Sequence, residues 1–388
     1  MKILYAWEWG TGSGHLRRFV PIASMLQQSG HPVTVVAKEL HKVPKLFPAK
    51  HYRWLQAPET AKATSPIANP LSFADVAHNL GFDHEDKVLA VCGAWLETLR
   101  QQKPDLVIAD FGVACLWVAA ALGIPTVRIG TGYSCPPQSA QSLSFLSEPT
   151  ADSPAADEIL ARAAAAFKEL GLSSDVEWND VLLPPDRTLL ASVSTLDPFA
   201  MSRSDEEYSG TWDHDGQAEP QWQGTGRYRA IAYLKPFQGL PPLLASLHRL
   251  GIETVLYGDG IPPNLIASMR NPLLHVSETP LRLSNLTRAC DFILCNGNHG
   301  TTTKVLGQGI PIFSVPLFLE QRITSATIER ERWGVNAVPH QPDQFITKLD
   351  AILSQEIRDS AARYPERVAR FAGRGIEHAW RKLQAFLD

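Results

Sequence analysis

The sequence predicts an α/β protein built from two doubly wound parallel-sheet domains that face a cleft, and three observations carry that expectation. Short apolar runs of strand length alternate with amphipathic stretches of helix length through most of the chain. The rhythm stops once, between about residues 200 and 226, in the polar, glycine-broken stretch SRSDEEYSGTWDHDGQAEPQWQGTGR. Each half also carries one glycine-rich turn between a strand and a helix: GTGSGHLRR at 10–18 and NGNHGTTTK at 296–304. A chain of 388 residues exceeds one ordinary core and suits two.

The elements follow in order. Residues 1–7 read as a buried strand, and residues 16–29 set Leu16, Phe19, Val20, Ala23 and Leu26 on one helical face. Gly30 stops that helix and residues 33–37 form the next strand, so the order strand, glycine turn, helix, strand makes a βαβ unit. The pattern recurs as a strand at 105–109, a helix at 114–122 capped by Gly123, and a strand at 125–129. Residues 156–170 are rich in alanine and predict a helix, followed by a strand near 188–194. Residues 55–80 and 133–157 are rich in Pro, Ser and Ala, and such excursions in α/β domains lie over the strand ends where ligands bind.

After the break the rhythm resumes. Strands are expected at 228–233, 253–257, 274–276, 292–295 and 311–315, with helices at 240–250, 283–289 and 301–308. Residues 364–387 make one amphipathic helix or two. The expected division is therefore residues 1–205, a linker at 206–226, a second domain at 227–370, and a terminal helix at 371–388 packing back on the first domain.

Composition narrows the functional classes. With 44% hydrophobic and 20% charged residues the chain is globular, and a formal net charge of −4 gives no general attraction to nucleic acid or anionic membrane. The five cysteines are odd in number, scattered and mostly set in apolar runs, which predicts reduced thiols rather than a disulfide framework. No apolar run is long enough to span a membrane, and the short strand at 1–7 is no signal peptide. The expected compartment is the cytoplasm, with peripheral membrane attachment left open.

In the first turn, Gly10, Gly12 and Gly14 bend the backbone sharply, and His15 stands at the helix start, where helix dipole and partial burial both disfavour an imidazolium. A base near neutral pH is one reading; a simple helix cap is the other. Asp110 ends the strand LVIAD at the ligand-binding edge of the sheet, positioned to orient such an imidazole or to cap the next helix. In the second turn, Asn296, Gly297, Asn298, His299, Gly300, Thr301 and Thr302 offer amides and hydroxyls to a diphosphate. Beyond the next strand, Glu320 and Gln321 supply the acceptor and donor groups that paired sugar hydroxyls need. Trp54, Leu71, Phe73, Tyr133 and Phe145 form an expected apolar or aromatic acceptor surface.

Taken together, GTGSGHLRRFVPIASMLQQSGHPVTVVA, PDLVIADFGVACLWVAAALGIPTV and CDFILCNGNHGTTTKVLGQGIPIFSVPLFLEQ resemble the GT-B glycosyltransferases of the family-1 type, which include the UDP-glucuronosyltransferases and macrolide glycosyltransferases. The resemblance implies two Rossmann-like domains and an inverting, metal-independent sugar transfer from a nucleotide diphosphate of UDP or dTDP type. The acceptor would be a small-molecule, glycan or lipid-linked hydroxyl. It matches His15 to the catalytic base, Asp110 to its orienting carboxylate, Gly12 and Gly14 to the first turn at the donor, Gly297–Thr302 to the diphosphate loop, and Glu320 with Gln321 to the sugar-holding pair. Two positions depart from the pattern. Asn296 replaces a His that opens the loop, and Lys304 replaces a ribose-binding Glu, which favours a donor with different ribose chemistry or a cation offered to phosphate. GSGHLRR also resembles the loop of nucleotide-sugar hydrolases of the pseudaminic-acid pathway, and a non-catalytic scaffold with a decayed donor site is a third reading. No cofactor beyond the nucleotide sugar and no metal is expected, and the sequence predicts no oligomeric state.

Overall fold

The computed structural model describes residues 1–137, 144–145, 156–173, 187–212, 216–224, 226–286 and 289–387. The chain divides into two compact units, one formed by Met1–Asp213 with Gly373–Asp388 and the other by His214–Ala372.

The first unit contains strands β1 (Ile3–Trp7), β2 (Val33–Ala37), β3 (Arg53–Gln56), β4 (Leu106–Asp110), β5 (Thr126–Gly130) and β6 (Arg187–Leu190). Its helices are α1 (Gly14–Gln28), α2 (Phe73–Ala77), α3 (Glu85–Gln102), α4 (Val113–Ala121) and α5 (Ala156–Glu169). The strands lie in the order β3-β2-β1-β4-β5-β6 and all pairings are parallel. Helices cover a parallel sheet on both faces, so β1, β4 and β5 are buried along their whole length. On one face Tyr5, Trp7, Phe19, Ile22, Val35 and Ile108 form the central cluster. Pairing sets Trp7 of β1 opposite Asp110 of β4. Because the strand order reverses between β1 and β4, these two strand ends open the crevice in which ligands of doubly wound sheets bind.

The second unit contains β7 (Tyr228–Leu234), β8 (Ile252–Gly258), β9 (Leu274–Ser277), β10 (Phe292–Cys295), β11 (Ile312–Ser314) and β12 (Gly334–Asn336). Its helices are α6 (Leu240–Arg249), α7 (Pro263–Ser268), α8 (His299–Leu306), α9 (Leu319–Arg330), α10 (Phe345–Ile352), α11 (Gln355–Ala362) and α12 (Tyr364–Val368). The order β12-β11-β10-β7-β8-β9 repeats the topology of the first unit, with β7 and β10 at the reversal. A last helix, α13 (Ile376–Leu387), returns to the first unit, where Ala379 and Leu383 join the cluster around Tyr5 and Trp7.

Several local expectations are revised. No helix forms over the described part of residues 283–289: Asn285 has φ +60°, and the Gln308 side chain donates to Leu283 O at 2.6 Å and accepts from Leu286 N at 2.6 Å, holding the segment as irregular chain. The sixth strand stops at Leu190. Helix α9 begins at Leu319, so Glu320 and Gln321 occupy its first turn rather than a loop. Residues 205–212 pack in the first unit, where Ser209 N donates to Leu190 O at 2.9 Å. Residues 216–224 pack in the second, where Gly224 N donates to Glu253 Oε1 at 3.1 Å. Of the expected acceptor loops, residues 138–143 and 146–155 lie outside the described residues.

Candidate active site

In the first unit β1 delivers the chain into the glycine turn, and α1 begins at Gly14 with Ser13 as its N-cap. His15, the second residue of the helix, is thereby held over the end of β4. Its Nδ1 lies 2.7 Å from Asp110 Oδ1, and Arg18 Nη1 donates to Asp110 Oδ2 at 2.9 Å. Asp110 is fully buried. Burial works to raise its pKa, but His15 and Arg18, through charge and hydrogen bonds, outweigh burial and hold the carboxyl below the ordinary value. An ionised carboxylate only accepts, so Nδ1 carries a proton, and the neutral form of this ring is the tautomer whose Nε2 lone pair can take a substrate proton.

The ring is fixed from several sides. Trp7 stacks beside it with centroids 5.2 Å apart, and Phe111 lies at 6.4 Å. Gly10 has φ +86°, and a Cβ there would lie 2.6 Å from His15 Nε2. The turn therefore needs glycine at this position both for its backbone and for the approach of the imidazole. Asp110 does not cap α4, whose N-cap is Gly112. Phe111 between them has φ +55°, a conformation uncommon for a bulky residue and concentrated at functional sites. The Gly12 amide is bound within the protein, donating to Glu39 Oε2 at 2.7 Å, while Gly14 faces open space.

Phe111 also begins a chain of aromatic contacts, to Tyr133 at 5.7 Å and from Tyr133 to Phe145 at 5.0 Å. Phe73 touches Phe111 at 6.0 Å. Three of the five expected acceptor side chains thus connect to the imidazole through Phe111. Trp54 instead packs against the cluster beneath α1, and the Leu71 backbone binds Asp75 and Phe145.

In the second unit the reversal between β7 and β10 carries Asn296, which is buried. Its Oδ1 accepts from Lys235 N at 2.8 Å and its Nδ2 donates to Val315 O at 2.9 Å, so this side chain ties the ends of β7 and β11 to the turn. Gly297 has φ +79°, and a Cβ would meet Ser325 Oγ at 2.6 Å and Gln321 O at 3.0 Å. Asn298 caps α8, whose first turn is His299, Gly300 and Thr301. First-turn amides have no carbonyl behind them, and the helix dipole adds to their pull on an anion. His299 and Thr302 are buried, whereas Gly300, Thr301 and Lys304 are half-buried.

Gln321 is engaged internally. Its Oε1 accepts from Leu317 N at 2.7 Å and its Nε2 donates to Asn298 Oδ1, so it braces the turn. Glu320, half-buried in the first turn of α9, lies beside it. At the neighbouring strand ends, Tyr233 and Tyr257 pack with centroids 4.8 Å apart, and Lys235 Nζ lies 3.8 Å from Asp259 Oδ2. Among the described residues, no three His, Cys, Asp or Glu side chains group as a metal centre would, and no helix is long and apolar enough to cross a membrane.

No protein-family model and no curated protein sequence matches the chain. Solved structures do. The glycotransferase of kitacinnamycin aligns over 100% of this chain and 99% of its own, with TM-score 0.72 and 14% identity. CalG4, the calicheamicin glycosyltransferase, aligns over 100% and 98%, with TM-score 0.71 and 18% identity. The chain has the GT-B fold. A third GT-B structure, the glycosyltransferase VinC in complex with dTDP, aligns over 100% and 98%, with TM-score 0.68 and 15% identity.

Both candidate constellations of this GT-B chain stand at strand-order reversals. The sequence reading missed Arg18, Glu39 and Lys235. Arg18 follows His15 by three residues and so shares its helix face, a signal available in the sequence. Glu39 and Lys235 are read only once neighbouring strands are known.

Proposed function

We propose that the protein is an inverting glycosyltransferase that moves a sugar from a nucleotide diphosphate to an acceptor hydroxyl. The observation that carries this reading is the His15–Asp110 pair, 2.7 Å apart at the strand-order reversal of a GT-B unit. His15 Nε2 takes the acceptor proton as the hydroxyl oxygen attacks the anomeric carbon, and the bond from that carbon to the diphosphate breaks on the opposite face. Asp110 stabilises the imidazolium so formed, and Arg18 keeps the carboxylate ionised and in place. Base assistance of this kind contributes ~10²–10⁴ in rate. In the second unit, the first-turn amides of α8 receive the leaving diphosphate, which supplies electrostatic stabilisation without a bound cation.

The turn that opens with Asn296 rather than His holds its own shape through Lys235 and Val315, so the amides of Gly300 and Thr301 are fixed before a donor arrives. Lys304 offers a cation where the family has a ribose-binding acid, which favours dTDP-type donors over UDP-type ones. VinC, one of the similar structures, was solved with dTDP.

Incubation with a panel of dTDP- and UDP-sugars and hydroxyl acceptors tests the reading. Acceptor-dependent sugar transfer, with inversion at the anomeric carbon and no loss on chelation, is expected. Rapid release of free sugar without an acceptor would make the protein a hydrolase, and absence of nucleotide binding in calorimetry would overturn both enzymatic readings.

A further inference from the structure

Glu8 follows β1 directly and is buried, 1% exposed, on the opposite face of the sheet from Trp7. Its Oε2 accepts from the Cys115 amide at 3.2 Å in the first turn of α4. Its Oε1 and the Trp95 Nε1 of α3 form no well-aligned hydrogen bond, though the indole lies near enough to act on the carboxyl. The next residue, Trp9, donates its amide to Phe111 O at 3.0 Å, and the one after it is Gly10, against the imidazole. Two links therefore join the turn that carries His15 to the turn that follows Asp110: one through backbone, one through this carboxyl.

We infer that Glu8 is a positioning residue that ties the His15 turn to the first turn of α4 and so sets the registration of His15 with Asp110. It does this as a neutral acid. Burial pushes its carboxyl up to about 8, against the lowering effect of the Cys115 and Ala114 amides, the Trp95 indole and Lys38. The charged and titratable groups that face it are Lys38 beyond β2, Cys92 and Trp95 on α3, and Cys115 on α4; burial raises both thiols, so neither ionises with it near neutrality. Proton loss places a charge in the buried space between α3 and α4, so ionisation costs folded stability while the Cys115 amide still donates to the carboxylate.

This inference rests on the proposed transferase reading for its kinetic arm, but not for its stability arm. A group whose folded pKa is raised stabilises most below its unfolded value, and that contribution declines as pH rises toward the folded one. The melting temperature of the wild-type protein is expected to fall between pH 5 and 9, and that of Glu8→Gln, which cannot ionise, to hold level. In the transfer assay Glu8→Gln, whose amide oxygen accepts from the Cys115 N–H as the carboxyl does, keeps the wild-type kcat. Donor Kd is unchanged in both proteins. Glu8→Ala, which lacks the tie, loses kcat at every pH and is not rescued by acid. If both variants track wild type in melting and in kcat against pH, the inference falls while the transferase reading stands. If no sugar is transferred by any protein but the melting curves diverge as described, the tie stands and the transferase reading falls.

Discussion

Replacing Asp110 by Asn removes one charge and nothing else in size, at a site where both carboxylate oxygens are in use. Asp110 is fully buried, and its partners, His15 Nδ1 at 2.7 Å and Arg18 Nη1 at 2.9 Å, are both donors. An amide offers one acceptor oxygen and one NH₂, so one partner must face a donor. If Arg18 keeps the oxygen, the imidazole turns its tautomer to accept on Nδ1, and Nε2 then carries a proton and cannot take another. Turnover is expected to fall by ~10²–10⁴, the range for lost base assistance. The buried guanidinium also loses its counter-charge, which costs about 3–5 kcal/mol in a buried pair. For a domain of this size that is roughly 6–20 °C in Tm.

The pH dependence gives the sign. The folded pKa of Asp110 is depressed, so its contribution is present in full above the unfolded value and is lost as pH falls through the folded one. The gap in Tm between wild type and Asp110→Asn should therefore be constant from pH 8 to about 5 and close on further acidification. Adding Arg18→Met to Asp110→Asn removes the stranded charge; much of the stability should return, and none of the turnover. Calorimetric melting from pH 8 to 3, with transfer rates at neutral pH, decides the matter. An Asp110→Asn protein that melts with wild type at pH 7 and retains its turnover would refute the reasoning.

Two further perturbations probe the turns. Gly10→Ala drives a Cβ to 2.6 Å from His15 Nε2 and adds about 1–2 kcal/mol of backbone strain at φ +86°; kcat should drop at least about tenfold while calorimetric donor Kd is unchanged, and an unaltered kcat would mean the imidazole is not held there. Asn296→Ala exposes Lys235 N and Val315 O in a buried setting, so denaturant unfolding of the second unit should show a loss of about 1–3 kcal/mol for each group left unpaired, whereas a wild-type midpoint would mean the side chain braces nothing.

Much of the fold is legible in the sequence because a parallel sheet covered on both faces forces its central strands to be apolar throughout, as in β1 and β10. His15 and Asp110 are legible for a related reason: each stands where an apolar strand or a glycine turn meets a helix. What brings them together is not local. Trp7 pairs with Asp110 only because β4 lies next to β1, and strand order is a property of the whole sheet. The same non-locality hides the Glu39 contact to Gly12 and the Lys235 contact to Asn296. Residues 283–286 mislead differently. Leu283 and Leu286 have helical spacing, but the Gln308 side chain takes over the backbone groups that a helix would pair. At Gln321, expected as a sugar contact, the side chain also braces Asn298, a contact that sequence spacing does not show.

The central claim is that His15 Nε2 accepts the proton of an attacking hydroxyl. The most direct measurement is the single-turnover rate of sugar transfer by wild type and His15→Ala at saturating donor and acceptor, with donor affinity measured alongside. A fall of at least about a hundredfold with unchanged donor affinity is predicted. Transfer at the wild-type rate by His15→Ala would contradict it.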